Sequence, residues 1–324
     1  MIELKKVAIG YQKKGGVLTV QENINGCISK GKLVGLLGGN GKGKSTLLRT
    51  ILGLQPALKG EVLIQGIPLS GISAKAMAKE VAVVLTDKIQ TPYMTVRELI
   101  ESGRSPHTNW WGKMKHEDLL LIEQVIDQLG IDAIQHRPFN ELSDGQKQLS
   151  LIGRALAQDT GVILLDEPAA HLDVPNKIRI FSLLQQLSRG GKTVLICSHD
   201  LDLSLRFCDD LLLLHQEELP VLGMAEELVL NGTFGRYFNQ GEVQFNIQSG
   251  RFDFQKKFRR QVNIDTVPSP QRRWLVQALH KKEIGISPLP TENEIQWKDS
   301  QWHFNSQQFD HLSPLINAID TYLT

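Results

Sequence analysis

Hydrophobic positions follow two different periods along this chain. Short apolar runs bounded by glycine and polar turns predict buried strands, and longer segments with apolar residues every three or four positions predict helices. The predicted strands are Leu33–Leu37, Glu61–Ile64, Val81–Leu85, Val162–Leu165 and Thr193–Ile196. Helical periodicity dominates residues 95 to 158, and a further helix is predicted from about Asn176 to Ser188. Strands that alternate with helices indicate a parallel, helix-covered sheet with a helical insertion.

The two ends of the chain have patterns of their own. Residues 2 to 37 predict short strands with turns at 13–16 and 30–31. From Glu242 onward polar alternation, Gln and Trp become frequent, and the apolar parallel-strand runs disappear. We therefore place a domain boundary between about 238 and 245, which gives an α/β domain over 2–240 and a small accessory α+β domain over 241–324.

The accessory region predicts a short alternation of strands and helices. The strands lie near Val243–Ile247, Phe252–Phe254, Val262–Ile264, Glu294–Trp297 and Trp302–Phe304, and the helices span Gln271–Lys282 and Leu312–Leu323. Trp274, Trp297 and Trp302 are expected to fill its core. The basic run 256–260 is expected to be a solvated surface; the alternative is docking on anionic lipid or on an acidic partner. We find no catalytic constellation in this region.

Composition narrows the class of protein. The chain has 324 residues and a formal net charge of +1, which provides no general attraction to nucleic acid or anionic membrane. Three widely spaced cysteines, Cys27, Cys197 and Cys208, fit neither a disulfide framework nor a zinc site. The first residues lack the apolar stretch of a signal peptide, and no run of about eighteen apolar residues occurs. We expect a soluble protein of the reducing cytoplasm.

The strongest chemical signal is a glycine-rich loop between a predicted strand and a predicted helix. The loop reads Gly38-Gly39-Asn40-Gly41-Lys42-Gly43-Lys44-Ser45-Thr46 and fits the phosphate-binding pattern GxxxxGK[ST]. Glycines let successive backbone N–H groups turn inward at the positive end of the following helix, which predicts an anion-binding nest. Lys44 is expected to reach the β- and γ-phosphates of a nucleotide, and Ser45 to bind magnesium.

Two acidic residues follow the apolar strand Val162–Leu165. Ligands of open α/β sheets bind at the carboxyl ends of strands, where Asp166 and Glu167 are predicted to lie. Asp166 is suited to hold magnesium through water, and Glu167 to polarise the water that attacks the γ-phosphate.

A predicted helix start lies between these two motifs. In Leu142-Ser143-Asp144-Gly145-Gln146, Ser143 and Gln146 form a capping box, which by itself needs no functional explanation. The same geometry also suits a phosphate, including one held by another subunit, because a helix N-terminus offers free N–H groups beside a serine and a glycine.

These motifs occur in a fixed order with His171-Leu172-Asp173 and Ser198-His199-Asp200. In that order, over residues 2 to 240, the chain resembles the nucleotide-binding subunits of ATP-binding cassette transporters. The resemblance implies a P-loop cassette fold with an N-terminal antiparallel β part, a mixed or parallel sheet core and a helical subdomain. It also implies an ATPase coupled to transport, with ATP and Mg²⁺ bound.

The resemblance further implies a composite site. Two subunits form a head-to-tail homodimer in the ATP-bound state, each ATP lying between one phosphate loop and residues Ser143 to Gln146 of the other subunit. His199 is assigned to the γ-phosphate, Asp173 to the dimer interface and Tyr11 to stacking on adenine. The implied partners are transmembrane permease subunits and, indirectly, a substrate-binding protein, with no nucleic acid. The implied location is cytoplasmic, on the inner face of the membrane.

Some positions depart from the family pattern. In the family a glutamine usually follows the strand that corresponds to Val81–Leu85, and here Thr86 takes its place. Asp87 or Gln90 could replace that glutamine by a small shift of the loop. Gln90 is the less costly candidate, because a carboxylate would add negative charge beside the phosphates. Lys42 stands where the family normally has a small residue and adds positive charge. Asp144 replaces a glycine of the signature, and we expect it to face solvent.

A narrower resemblance lies in the helical block. The stretches Thr95–Leu99 and Gly103–His107 resemble subunits that energise uptake of iron-siderophores, haem or vitamin B12. We therefore expect an importer subunit whose helical block packs on a cytoplasmic helix of the permease. Three alternatives remain: an efflux subunit, a soluble cassette ATPase acting on ribosomes or DNA, and a weakly hydrolysing regulator. A soluble ATPase usually has two cassettes or a long coiled-coil insertion, and this chain has neither.

Overall fold

A computed structural model describes residues 1–13, 16–85, 93–108, 113–254, 258–265, 269–287 and 294–323. These residues form two compact units, Met1–Asp253 and Phe254–Thr324. Within the described ranges, no helix combines the length and apolar character needed to cross a membrane.

Up to residue 254 the chain alternates between strands and helices. The strands are β1 Ile2–Lys13, β2 Gly16–Ile28, β3 Leu33–Gly38, β4 Lys59–Ile64, β5 Ile67–Pro68, β6 Val81–Val84, β7 Val162–Asp166, β8 Thr193–Cys197, β9 Asp210–Leu214, β10 Val221–Met224, β11 Val243–Asn246 and β12 Arg251–Phe254. The helices are α1 Lys44–Ile51, α2 Ala74–Glu80, α3 Val96–Ser102, α4 His116–Leu129, α5 Asp144–Ala157, α6 Val174–Arg189, α7 Leu201–Phe207, α8 Ala225–Leu230 and α9 Thr233–Phe238.

The central sheet has the strand order β10-β9-β3-β8-β7-β6. Strands β9, β3, β8, β7 and β6 pair in parallel, and β10 runs antiparallel along the edge next to β9. The predicted parallel sheet is confirmed. Because parallel strands end at the same edge, β3, β7 and β8 place Gly38, Asp166 and Cys197 close together, with Cys197 paired to both Leu36 and Asp166.

A second sheet, β2-β1-β4-β5, is antiparallel. Its first two strands span 12 and 13 residues, longer than the short strands expected from the pattern. Register shifts along the β1–β2 pair interrupt the simple alternation of side chains, which explains why the sequence suggested shorter pieces. Helix α1 contacts both sheets, so the loop before it lies between them.

Helices α3, α4 and α5 form the predicted helical block. Thr95 and Glu98 make a capping box at the start of α3. The Arg104 guanidinium and the Asp118 carboxylate form a nearly buried ion pair at 2.6 Å, and Arg104 also donates to the carbonyl oxygen of Ala157. These contacts join the turn after α3 to α4 and α5, the helix that carries Ser143 at its N-cap.

Aromatic rings of the β11–β12 hairpin pack against helix α9. Phe234 of α9 is fully buried, and its ring centroid lies 4.8 Å from Phe245, 4.8 Å from Phe238 and 6.3 Å from Phe252. The two units therefore divide after this hairpin, between 253 and 254, and not between 238 and 245 as the change in composition suggested. The composition changes earlier because polar residues such as Gln244, Asn246 and Asp253 alternate with the phenylalanines of this hairpin.

The second unit is a small α+β fold, as predicted. It consists of β13 Arg260–Asp265, α10 Pro270–Lys281, β14 Ile284–Ile286, β15 Glu294–Lys298, β16 Gln301–Phe304, β17 Gln307–Phe309 and α11 Leu312–Tyr322. The sheet order is β14-β13-β15-β16-β17, with β14 and β15 parallel to β13 and the remaining pairs antiparallel. The sequence pattern missed the three-residue strands β14 and β17, which are too short to show a period.

Two of the three tryptophans predicted for this core lie in or against it. Trp302 is buried, and the Trp297 ring packs 4.6 Å from it, centroid to centroid. The prediction for Trp274 is wrong, since its side chain is 61% exposed. Trp274 precedes the buried Leu275 on α10, and one residue of an α-helix corresponds to a rotation of about 100°, so the indole leaves the core face.

We predict that Phe234→Ala destabilises the first unit by about 3–5 kcal/mol, because it removes a buried ring and leaves a cavity beneath the hairpin. The free energy of unfolding is measured by urea titration of the full chain. Phe254→Ala is the matched control, since that ring is 72% exposed, and we expect it to change stability by less than about 0.5 kcal/mol. Equal losses in the two variants would show that the aromatic cluster does not stabilise the unit.

Candidate active site

The phosphate loop joins β3 to α1 as a tight backbone turn. Gly41 and Gly43 have φ angles of 74° and 97°, a region that side chains disfavour. A β-carbon at Gly43 would also lie 2.9 Å from Cγ1 of Val20, so both conformation and space require glycine there. The predicted strand, glycine loop and helix therefore occur in the required order, with the N-terminus of α1 directed at the loop.

Lys44, the first residue of α1, has a buried side chain that returns across the loop. Its Nζ donates to the carbonyl oxygens of Gly38 at 2.8 Å and Gly39 at 3.2 Å. Burial lowers the pKa of Lys44, while the nearby carboxylates of Glu167 and Asp166 oppose that shift. The ammonium is thus held at the mouth of the loop, near the acids at the end of β7.

Glu167 follows β7 in a strained and partly buried position. Its φ angle of 51° is unusual for a residue with a side chain, and its N–H donates to the carbonyl oxygen of Cys197 at 3.1 Å. Burial, with a smaller contribution from the charge of Asp166, raises the pKa of the Glu167 carboxyl to about 7, although Lys44 and the His199 backbone act in the opposite direction.

One carboxylate oxygen of Glu167 is buried without a hydrogen-bond partner among the described residues. Nε2 of His199 lies 2.9 Å from this Oε1 atom, but the two are not aligned as a hydrogen bond. A hydrogen bond weakens steeply when its angle is poor, so this short contact does not satisfy Oε1. Oε1 is therefore an acceptor available to another donor.

His199 lies in the turn between β8 and α7. Ser198 Oγ accepts a hydrogen bond from the N–H of Asp200 at 3.0 Å, and the Asp200 side chain caps α7 and pairs with Lys177 at 3.1 Å. Burial and the Lys44 charge lower the pKa of His199, so the imidazole is largely neutral at neutral pH. The turn thus presents a neutral ring beside Glu167.

Tyr11 lies at the end of β1 beside α1. Its hydroxyl and Thr46 Oγ1 are 2.8 Å apart, and 42% of the tyrosine remains exposed. The structure therefore brings Tyr11, the phosphate loop, Asp166, Glu167 and His199 to one region of the first unit.

The signature residues are not part of this group within one chain. Ser143 is exposed at the N-cap of α5, and the capping box with Gln146 is confirmed by hydrogen bonds of 3.1 and 3.4 Å. Helix α5 packs on α3, α4 and β6, whereas α1 packs on β1, β3 and β7. Asp173 caps α6, with its carboxylate accepting from the N–H of Asn176 at 3.0 Å.

The residues that depart from the family pattern differ in whether the structure describes them and in what their side chains contact. Thr86, Asp87 and Gln90 lie outside the described residues. Asp144 is exposed at the start of α5, as expected. Lys42 does not simply face solvent, because its Nζ donates to Oε1 of Gln216 at 2.5 Å.

Two further residues of the site carry no recognisable sequence pattern. Gln21 on β2 is 5% exposed, and its amide donates to the carbonyl oxygens of Lys42 and His215 at 3.2 and 2.6 Å. Cys197 is fully buried beside Asp166, to which its thiol hydrogen-bonds. A glutamine in an antiparallel strand and a cysteine in an apolar run resemble ordinary strand residues, so only the fold identifies them.

Known proteins resemble this chain in sequence and in fold. A family model described as ABC transporter matches residues 21–170. The achromobactin transport ATP-binding protein CbrD of Dickeya dadantii is 34% identical over 74% of this chain and 87% of its own length. The iron(3+)-hydroxamate import ATP-binding protein FhuC of Bacillus subtilis is 34% identical over 70% of this chain and 84% of its own length.

A solved structure gives the same result for the fold. The dimeric structure of a bacterial ABC transporter cassette superimposes with a TM-score of 0.61 at 27% identity, covering 69% of this chain and 99% of the cassette. The matches to these three proteins cover 69–74% of this chain.

We predict that Glu167 makes the nucleotide-free protein less stable as the pH rises. The pKa of Glu167 is about 7 in the folded protein and 4.5 in the unfolded chain. The protonated carboxyl therefore contributes fully to the free energy of unfolding below pH 4.5, and this contribution is lost as the pH rises through 7. The parent should lose about 2 kcal/mol more than Glu167→Gln between pH 5 and pH 7.5.

The measurement is urea unfolding of both proteins in a chelator-containing buffer at the two pH values. His199 and other titrating groups are common to both proteins, so the difference isolates Glu167. A parallel pH dependence in the two proteins would show that burial does not shift this carboxyl.

Proposed function

This chain belongs to the ATP-binding cassette transporter family, and we propose that it is the ATP-hydrolysing subunit of an importer for iron(III)-siderophore, haem or cobalamin. The observation that carries the proposal is the convergence, at one edge of the central sheet, of Lys44, the acids at the end of β7 and His199. ATP is the substrate nucleotide, and its hydrolysis is the reaction that this family couples to transport.

The phosphate loop is suited to hold the β- and γ-phosphates. Backbone N–H groups of the loop and the N-terminus of α1 supply positive potential, and Lys44 adds a charge that is already desolvated. Its bonds to Gly38 and Gly39 are made to neutral carbonyl oxygens, so an anionic phosphate oxygen is a stronger acceptor. We propose that the partly exposed Tyr11, whose hydroxyl lies 2.8 Å from Thr46 Oγ1, stacks on adenine.

The residues present also fit Mg²⁺. Ser45 follows Lys44 in the first turn of α1, and Asp166 ends strand β7, which α1 contacts, so a hydroxyl and a carboxylate occur at the edge where we propose that the phosphates bind. Magnesium prefers such oxygen ligands together with substrate phosphates. When bound, it neutralises charge on the transferring phosphoryl group.

Glu167 is suited to orient the attacking water. Its buried Oε1 has an unused acceptor position, and a water molecule at that position would satisfy it. His199, neutral and beside the same oxygen, can donate a hydrogen bond to the γ-phosphate from its exposed side. The strained backbone at Glu167 is consistent with a residue placed by function, not by packing.

The composite site requires a second subunit. Ser143, Gly145 and Gln146 lie at the outward end of α5, away from the loop of their own chain, and Asp173 is exposed. We therefore propose a head-to-tail homodimer in the ATP-bound state, with α5 of one subunit closing the phosphate loop of the other. Dimerisation is a general property of transporter cassettes; this pairing of surfaces is the proposal.

The importer assignment draws on the helical block and on the relatives. Arg97 of α3 bonds to Glu101, Glu123 and Gln135, which fixes the helix that begins at Thr95. Of the two relatives described above, one is named for achromobactin transport and the other for iron(3+)-hydroxamate import. We propose that this block docks on the permease and holds the subunit at the cytoplasmic face of the membrane, with a substrate-binding protein delivering the cargo.

We predict that Glu167→Gln binds ATP with near-parent affinity and hydrolyses it at least about 100-fold more slowly, because the amide cannot polarise the attacking water. Lys44→Ala should weaken ATP binding itself. Phosphate release measures turnover, and calorimetry measures binding. Hydrolysis by Glu167→Gln at the parent rate would show that another residue positions the water.

Glu167→Gln also tests the dimer. With ATP and Mg²⁺ it should migrate as a dimer in size-exclusion chromatography, and Ser143→Arg in the same background should restore the monomer, because a large cation then occupies the surface that meets the other subunit. Gln186→Arg, a change at an exposed position of helix α6, is the control for added charge. Dimers in all variants would exclude α5 from the interface.

We predict that ATPase activity of the subunit rises severalfold when it is reconstituted with its permease and a loaded substrate-binding protein. Iron-siderophores, haem and cobalamin are tested separately. Stimulation by none of them would exclude this cargo class, stimulation by export substrates would favour an efflux subunit, and activity independent of any permease would favour a soluble or regulatory ATPase.

A further inference from the structure

The phosphate loop contains two lysines, and both side chains lie along the same glycine. Lys44 Nζ donates to the carbonyl oxygen of Gly39 at 3.2 Å. The Lys42 chain passes over Gly39 as well, because a β-carbon built there would lie 3.5 Å from Lys42 Cγ and 3.7 Å from its Cε. Lys42 therefore runs alongside the loop instead of extending from it into solvent.

The ammonium group of Lys42 has a neutral partner. Its Nζ donates to Oε1 of Gln216 at 2.5 Å, and Gln216 is exposed just beyond the end of β9. A neutral amide oxygen is a weaker acceptor for an ammonium group than an anionic oxygen is. An anion bound in the loop therefore competes well with Gln216 for this cation.

The backbone beneath this contact is fixed independently of it. The buried amide of Gln21 donates to the carbonyl oxygens of both Lys42 and His215, which joins the phosphate loop to the segment after β9. The His215 ring lies 5.7 Å from that of Tyr237, centroid to centroid, and the Tyr237 hydroxyl donates to the carbonyl oxygen of Leu219. Lys42 can thus change partner by rotating its side chain alone.

We propose that Lys42 is a second phosphate-binding cation, which Gln216 holds in the nucleotide-free protein and which transfers to the phosphates when a nucleotide binds. This inference rests on the proposed ATP-binding function. The exchange replaces an ammonium–amide contact with an ammonium–phosphate contact, with no bond made or broken and no proton transferred. Gln216 then sets how easily the cation is released.

Changes at Gln216 should act in opposite directions if the exchange occurs. Gln216→Glu offers a carboxylate that retains the ammonium, so affinity for a non-hydrolysable ATP analogue should fall about threefold, whereas Gln216→Ala should leave it unchanged or tighter. Lys42→Met should weaken binding about fivefold, less so at high salt, as for a partly exposed ionic contact. Steady-state kinetics of Lys42→Met should show a raised KM with kcat retained.

The double variant Lys42→Met with Gln216→Glu separates exchange from direct repulsion. If the new carboxylate acts by retaining Lys42, it has no further effect once Lys42 is gone. If it repels the phosphates directly, the loss persists in the double variant and the inference is overturned. Lys75→Met removes an exposed lysine from α2 and controls for lost charge, and thermal melting checks that each variant is folded.

The proposed function and this inference fail in distinguishable ways. A parent protein that does not bind the analogue contradicts the proposed function. A parent that binds it, with Lys44→Ala defective and Lys42→Met unchanged, supports that function and overturns the role of Lys42.

Discussion

The parallel alignment of β3, β8 and β7 is the constraint on which the site depends. Because these strands end at one edge, a glycine loop, an acidic pair and a histidine turn from distant parts of the sequence become neighbours. Each strand contributes little chemistry, since its interior is apolar and its side chains fill the two cores that cover the sheet. The polar residues begin where the strands end, and there Lys44 and Glu167 are partly removed from water. Their pKa values shift toward the neutral forms, burial being the largest cause in both cases.

Burial at this edge leaves specific polar groups incompletely satisfied. Among the residues that the structure describes, Lys44 donates to two neutral carbonyl oxygens, Lys42 donates to a neutral amide, and Glu167 Oε1 has no hydrogen-bond partner. A buried polar group without a good partner costs free energy, so a polyphosphate and a water molecule that supply these partners bind where the protein alone is least satisfied. The strained φ angle of Glu167 adds to the same local cost, which the buried strands around it offset.

The sequence was sufficient for the parts of this site whose chemistry has a local pattern. The phosphate loop, the acids after β7 and the Ser143 capping box are each encoded within a few residues, and the fold places them as their spacing predicts. Local pattern was insufficient where a role depends on partners far along the chain. Gln21 belongs to the site because its amide donates to the carbonyl oxygen of His215, which is distant in sequence. Trp274 is exposed because it lies on the outer face of its helix. The unit boundary was misplaced for the same reason, since Phe245 and Phe252 belong to the first unit only through Phe234.

The position of α5 explains why one chain holds only half of the proposed site. Ser143 and Gln146 satisfy each other reciprocally, yet the N–H groups of Asp144 and Gly145 have no acceptor within the first turn of an α-helix. These donors lie at the positive end of a 14-residue helix that packs on α3, α4 and β6, whereas the helix after the phosphate loop packs on β1, β3 and β7. A phosphate held by another subunit would satisfy them, and α5 would then complete the hydrogen bonding of the nucleotide that Lys44 begins. Since α3, α4 and α5 pack together around buried residues such as Arg104, a force applied to this block by a permease would reach Ser143 through rigid helices. In the proposed assembly, nucleotide closure and permease movement would then be linked mechanically through the same helical block.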